Sequence, residues 1–190
     1  MKKNYFKIIS QTLVVTVGLV FTFCAPPVEV EKSNLLEKVV LNAEDTIAHP
    51  SKREGDAHSG KSYWRVDSNG VYGLVYIYQI NDTLIQEDMK VKINTWVRVG
   101  ALNHDQKYAI SIEDGKGTAL NWAEINFRSH VGETNKWVNV IDSVIIPGNI
   151  INLPGMVLKT FSYNPDAKSF LDCDDAELSF YNVEKVMEKQ

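Results

Sequence analysis

The strongest constraint on this chain is its rhythm. Between residues 41 and 181, apolar side chains recur at every second position in short runs broken by Gly, Pro, Asn and Asp. Side chains alternate across a β-strand, so this period marks half-buried strands rather than helices. In one run Val91, Ile93, Thr95, Val97 and Val99 face one way, and in another Tyr108, Ile110 and Ile112 do so. Further runs cover residues 62–66, 71–80, 121–128, 137–146, 156–163 and 170–181. Asp114-Gly115-Lys116-Gly117 and Pro147-Gly148 supply turn chemistry between them. About eight strands at regular spacing predict an all-β antiparallel β-sandwich or jelly roll. Only the last stretch, residues 183–189, reads as a short helix.

The N-terminus follows a different rule. Lys2, Lys3 and Lys7 precede an almost wholly apolar, uncharged run over residues 8–25. A basic start before such a run is the pattern of a signal peptide, and a run of about 18 residues also reaches the lower limit for a spanning helix. Three readings stand. Cys24 is a lipidation site exposed by cleavage just before it, with Pro26-Pro27 and the acidic residues 29–31 as tether. Alternatively the leader stays as an uncleaved anchor, or it is a plain secretion signal with an incidental cysteine. Phe21-Thr22-Phe23 departs from the small residues that precede a lipidated cysteine in bacterial lipoproteins. All three readings export the rest of the chain. The expected organisation is a leader at 1–25, a linker at 26–40, a β-domain at 41–183 and a tail at 184–190.

Composition narrows the partners. The 190 residues suit one domain plus a leader. The net charge is −4, and losing the leader lysines makes the chain more acidic still. No basic stripe remains, which excludes nucleic acid as a partner. Two cysteines, Cys24 and Cys173, make no disulfide framework, and Cys173 reads as a small strand residue. His49, His58, His104 and His130 are scattered without zinc spacing. No nucleophile elbow or phosphate loop occurs, and Ser59 beside His58 is a turn pair rather than part of a triad. Glu113 and Glu124 are available for glycoside hydrolysis, but nothing marks them as a pair. The chain is therefore not expected to be an enzyme.

Alternation also predicts a polar and aromatic face. With Ala123, Ile125 and Phe127 inward, Trp122, Glu124, Asn126 and Arg128 point outward. In residues 91–99 the core set leaves Lys92, Asn94, Trp96 and Arg98 on the opposite face. If these two strands are neighbours, they form one platform, extended by Lys159, Tyr163, Tyr76 and Tyr78. Aromatic rings flanked by hydrogen-bonding groups match the amphipathic faces of a pyranose. The plainer alternative is core packing, which is the expectation for Trp64 and Trp137 and competes with ligand contact for Trp96 and Trp122.

Several short motifs resemble those of the β-jelly-roll carbohydrate-binding modules of bacterial glycoside hydrolases, which have a galactose-binding-domain-like fold. They are Leu41-Asn42-Ala43-Glu44, Ala57-His58-Ser59-Gly60-Lys61-Ser62-Tyr63, Asn94-Thr95-Trp96-Val97-Arg98, Trp137-Val138-Asn139-Val140 and Asp174-Asp175-Ala176-Glu177-Leu178, in the family's order. The resemblance implies a non-catalytic module that binds a polysaccharide or oligosaccharide at the cell surface, held to the membrane by its N-terminus. It also implies a structural calcium ion held by Glu44, Asp56, Asp174 and Asp175 with a backbone carbonyl near Lys61. The alternative reading of Asp172, Asp174 and Asp175 is a solvated acidic patch. A scaffold or protein-interaction lipoprotein on the same fold is the second functional reading, and a small glycan hydrolase the third.

Overall fold

The computed structural model describes residues 28–45, 49–80, 87–102, 105–151 and 155–188. The leader expected at 1–25, with Cys24, lies outside these residues. Among the described residues ten strands form: β1 (Val28–Leu41), β2 (Lys52–Glu54), β3 (Ser62–Val66), β4 (Tyr72–Gln79), β5 (Asp88–Val99), β6 (Lys107–Glu113), β7 (Ala119–Asn126), β8 (Val138–Ile146), β9 (Val157–Tyr163) and β10 (Leu171–Glu188). A 3-10 turn (Phe127–Ser129) follows β7, and one helical turn, α1 (Gly148–Ile151), follows β8. Among the described residues no helix is long and apolar enough to cross a membrane.

The strands make two antiparallel sheets packed as a sandwich. One runs β2-β3-β10-β5-β8, with β1 also paired to β10; the other runs β4-β9-β6-β7. β3 pairs with residues 171–173 of β10 and β1 with residues 176–188. The two therefore follow one another along the same edge of β10, opposite β5.

The alternation read from sequence sets the inner faces. Val91, Ile93 and Val97 of β5 are fully buried, and so are Tyr108 and Ile110 of β6 and Leu158 of β9. Burying a side chain of this size stabilises by roughly 1.5–3 kcal/mol relative to leaving it exposed. Tyr108, Thr160 and Thr95 follow the same period inward and are satisfied: Tyr108 and Thr160 share a hydrogen bond of 2.9 Å, and Thr95 donates to the Asp174 carbonyl at 3.0 Å. Phe180 of β10 bridges the layers by stacking on Tyr78 at 4.3 Å and meeting Tyr76 at 6.0 Å. Tyr76 and Tyr78 are thus core-facing, not the outward extension expected of them. Cys173 is buried and free, as its role of small strand residue requires.

Two other expectations are corrected. Residues 28–40, expected within a linker, belong to strand β1, and residues 184–188, expected as a tail with a helical turn, continue β10. The two pair with each other from Val28↔Glu188 to Leu41↔Ala176. β1 is an edge strand, where charges such as Glu31, Lys32 and Lys38 stay in water, so its apolar period is diluted.

Bulges break the period in two strands. In β4 the register shifts between Gly73 and Tyr76, with Leu74 at φ 47°. In β10 it shifts between Asp174 and Glu177, with Asp175 at φ 47°. A bulge adds a residue to one strand and re-aims the side chains beyond it. The β4 bulge borders a groove on the outer face of its own sheet, through Tyr72 and Val75. The β10 bulge borders the turn between β2 and β3, through Asp175 and His58.

Candidate functional site

The first cluster lies on the outer face of the four-stranded sheet. Leu158, Thr160 and Ser162 of β9 are buried toward the core, which turns Lys159, Phe161 and Tyr163 outward. β6 runs between β9 and β7, and its Ser111 sits opposite both Lys159 and Trp122. Ala109 likewise sits between Phe161 and Glu124, and Lys107 between Tyr163 and Asn126. The small Ala109 and Ser111 at the middle of the central strand, with large residues on its neighbours, leave a groove. Its volume is about 420 Å³, lined by Tyr72, Val75, Ser111, Glu113, Trp122, Lys159 and Phe161.

The aromatic rings of this face form one interlocked group. Trp122 meets Phe161 edge-on at 5.5 Å and Tyr163 at 5.7 Å. Tyr72 stacks on Tyr163 at 5.2 Å and meets Phe161 edge-on at 5.2 Å. Such geometries hold rings in fixed orientations. Phe161 is only 5% exposed, whereas Tyr72 and Trp122 are 53% and 41% exposed, so these two present free surface.

Polar contacts position the tryptophan. Its indole N–H donates to Glu124 Oε2 at 3.2 Å, and the same oxygen accepts from Lys107 Nζ at 2.7 Å. Asp105 holds Lys107 from its other side at 2.8 Å. Burial opposes the charge on Lys107, but the bonds to Asp105 and Glu124 prevail and raise its pKa above the ordinary lysine value. Burial, then the neighbouring Tyr72, raises the Tyr163 phenol. Glu124 thus bonds both the Trp122 indole and the Lys107 ammonium.

The second cluster is the polar turn between β2 and β3. Glu44 Oε1 accepts from the Lys61 and Ser62 amides at 2.6 and 2.5 Å. Asp174 Oδ2 accepts from the His58 and Ser59 amides, both at 3.0 Å. Asp175 takes the Ser59 hydroxyl at 2.9 Å and His58 Nδ1 at 3.0 Å. Amide bonds from Lys61 and then Ser62 hold the Glu44 carboxyl below its ordinary pKa. Burial raises that of Asp174, outweighing its amide donors. Gly60, at φ 61°, lets the turn close, because a Cβ there would stand 2.5 Å from Glu44 Oε1.

This turn brings together part of the expected calcium set. His58, Asp174 and Asp175 place one ligand atom each within 4.8 Å of one another. Glu44 joins the same turn through backbone amides, while Asp56 is turned away to Arg98 at 2.6 Å. The Lys61 carbonyl accepts from the Gly55 amide at 2.9 Å. Calcium takes six to eight oxygens; here Glu44 and Asp174 face backbone amides and Asp175 faces the Ser59 hydroxyl and the His58 ring, so the turn is closed by hydrogen bonds of its own. Asp172 and Asp174 are fully buried, which corrects the reading of a solvated acidic patch.

The expected single platform divides between the two sheets. Trp122 and Lys159 line the groove, with Tyr163 and Glu124 beside it, each touching Trp122. Asn94, Trp96 and Arg98 lie on β5, in the other sheet. Trp96 is covered by His58, stacked at 3.8 Å and 12°. Asn94 accepts from Asn139 at 2.9 Å. Arg98 is buried, bonded to Asp172 at 2.9 Å and set over the Trp137 ring at 4.6 Å. Trp137 and Trp64 pack as expected, Trp137 also against Tyr63 at 6.0 Å. Asn126 turns its side chain to the Arg128 amide at 2.9 Å and caps the 3-10 turn. Arg128 is within that turn, off the strand's alternation.

Tyr72, Val75, Ser111, Glu113 and Phe161 complete the groove without having been expected there. Phe161 was recoverable, since it lies between Lys159 and Tyr163 in the same alternation. Tyr72 was not, because the Leu74 bulge separates its facing from that of Tyr76 and Tyr78.

No protein-family model matches the chain, and no curated protein does either. Among solved structures, the chain is similar to the CBM22-1 xylan-binding domain of Paenibacillus barcinonensis Xyn10C. The identity is 17% and the TM-score 0.43, over 79% of this chain and 86% of that one. A cyclase from Fischerella sp. TAU shares 14% identity at TM-score 0.39, over 75% and 73% of the two chains. The K1 cleaved adhesin domain of Lys-gingipain from Porphyromonas gingivalis W83 shares 15% at TM-score 0.35, over 80% and 97%. These distant likenesses carry no functional argument, which has to come from the groove itself.

Proposed function

We propose that this protein is a non-catalytic carbohydrate-binding module whose ligand lies in the groove on the four-stranded sheet. One observation supports the reading above the rest. A concavity of about 420 Å³ carries the exposed rings of Tyr72 and Trp122 beside Lys159, Ser111 and Glu113. Small-ligand pockets combine apolar walls with a few placed polar groups at about 300–1,000 Å³. A pyranose offers C–H faces to the rings and hydroxyls to the ammonium, hydroxyl and carboxylate. Hydrolysis needs two carboxylates across the scissile bond. Glu113 is the single carboxylate among the groove's lining residues, and Glu124 is held by Lys107 and the Trp122 indole.

Two further elements belong to this proposal. The protein is exported and held at the membrane through Cys24, a reading supported by the basic start and the apolar run at 8–25. Mass spectrometry of the N-terminal peptide from the native host tests it; an unmodified Cys24 rejects lipidation. A structural calcium ion would be held by Glu44, Asp174 and Asp175, which converge on one turn, and would replace donors that these carboxylates otherwise accept from. A ligand that binds only the folded state raises its melting temperature. Chelator should therefore lower Tm, and an unchanged Tm rejects calcium.

Screening the purified domain on an array of neutral and acidic glycans tests the binding proposal. Retention of at least one oligosaccharide class is expected. An array without binding at high protein concentration would reject it.

A further inference from the structure

The outer face of the six-stranded sheet carries a second concavity that the groove reading leaves unexplained. It has a volume of about 350 Å³ and is lined by Ser33, Lys90, Lys92, Ser143 and Tyr181. The sheet register assembles it from four strands. Lys92 of β5 faces Ser143 on β8, and Lys90 faces Tyr181 on β10. Ser33 comes from β1, along the far edge of β10.

The chemistry of this lining is one-sided. All five residues bear a hydrogen-bond donor, two are cations and none is a carboxylate. The chain as a whole carries a net charge of −4, so the lining is opposite in sign to the chain's net charge. Lys90 leans out to Glu31 Oε1 at 2.8 Å, a pair with side chains 29% and 41% exposed. Lys92 has no ion-pair partner among the described residues. Surface pairs such as Lys90–Glu31 contribute about 0–1 kcal/mol, so an incoming anion can displace Glu31 at small cost.

We infer that this concavity is a second binding site, for a sugar that carries a phosphate or sulfate ester. The two ammonium groups and the three hydroxyls supply the donors that a tetrahedral oxyanion accepts. The volume exceeds what a lone ion needs and falls in the range of small-ligand pockets, about 300–1,000 Å³. The remaining space beside the Tyr181 ring takes the sugar body, since an aromatic face suits its C–H surface. The site lies on the opposite side of the sandwich from Trp122, so it stands whether or not the groove binds a glycan.

Calorimetric titration of the folded domain with glucose 6-phosphate, galactose 6-sulfate and plain glucose tests the inference at low salt. Binding of at least one ester, none of glucose, and weakening as salt is raised are expected. Lys92→Gln should weaken binding at least about tenfold, the scale of one lost charge-assisted hydrogen bond. Glu31→Gln should tighten it by releasing Lys90, while Trp122→Ala should leave it unchanged. Circular dichroism checks that each variant is folded, as expected for substitutions at the surface. Failure of both esters to bind overturns the inference. So does binding that survives Lys90→Gln/Lys92→Gln, weakens in Glu31→Gln, or disappears in Trp122→Ala.

Discussion

Arg98 was expected to contact a ligand, and its surroundings give it a different task. Its guanidinium joins two carboxylates of opposite exposure: Asp172, 0% exposed, and Asp56, 88% exposed, with Arg98 itself at 9%. Asp172 also accepts from Arg65 at 2.7 and 2.9 Å. Asp172→Asn keeps the shape but removes the one negative charge between two guanidinium groups. Removing one partner of a buried pair costs about 3–5 kcal/mol, because the remaining charge is stranded. For a chain of this size each kcal/mol lowers Tm by roughly 2–4 °C, so a fall of about 6–20 °C is expected. Asp56→Ala breaks the other, solvent-screened contact and should cost no more than about 1 kcal/mol. Urea unfolding followed by tryptophan fluorescence reads both variants on one scale. Equal losses in the two, or a loss below about 1 kcal/mol for Asp172→Asn, would refute the reasoning that buries Arg98 as a structural cation.

The polar turn gives further testable outcomes. Gly60→Ala puts a Cβ against Glu44 at a φ of 61° and should destabilise by more than the usual Gly-to-Ala gain of about 0.4–1 kcal/mol; thermal melts that show stabilisation contradict this. The lowered pKa of Glu44 means that the unfolded chain binds more protons near the ordinary value of 4.5. Its contribution is therefore present above 4.5 and lost as pH falls through the folded value. Glu44→Gln should be less stable than wild type at neutral pH and converge with it in acid; a gap independent of pH is the contrary result. Asp174 has the opposite sign. Its raised pKa means that the folded state holds the proton longer, so stability falls as pH rises from 3.8 through the raised value. Asp174→Asn should flatten that part of the stability curve, measured by urea unfolding across pH.

Much of the fold was legible as strand faces and little of it as strand neighbours. β3 begins and ends where its pattern does, at Ser62 and Val66. The inward set of β5 is buried as its period requires, from Val91 to Val99. Alternation says which side of a strand a residue occupies, but not which strand lies alongside. Trp96 and Trp122 show the same local pattern and end on opposite sides of the sandwich, because β5 pairs with β8 and β10 while β7 pairs with β6. β1 escaped notice because an edge strand tolerates charges that hide its period. Tyr72 escaped because the bulge at Leu74 aims it at the groove, whereas its neighbours Tyr76 and Tyr78 enter the core. The turn at 57–63 and the acids at 174 and 175 were legible as partners only through a family pattern. Their contact spans more than a hundred residues of chain.

The central claim is that the ligand lies on the four-stranded sheet and is held by Trp122. Calorimetric titration of an array-positive oligosaccharide into wild type, Trp122→Ala and Trp96→Ala tests it most directly. Truncating an aromatic anchor costs about 2 kcal/mol or more, so Trp122→Ala should weaken binding about thirtyfold. Trp96, stacked under His58 on the other sheet, should leave the affinity unchanged when replaced. Affinity lost in Trp96→Ala and kept in Trp122→Ala would contradict the account.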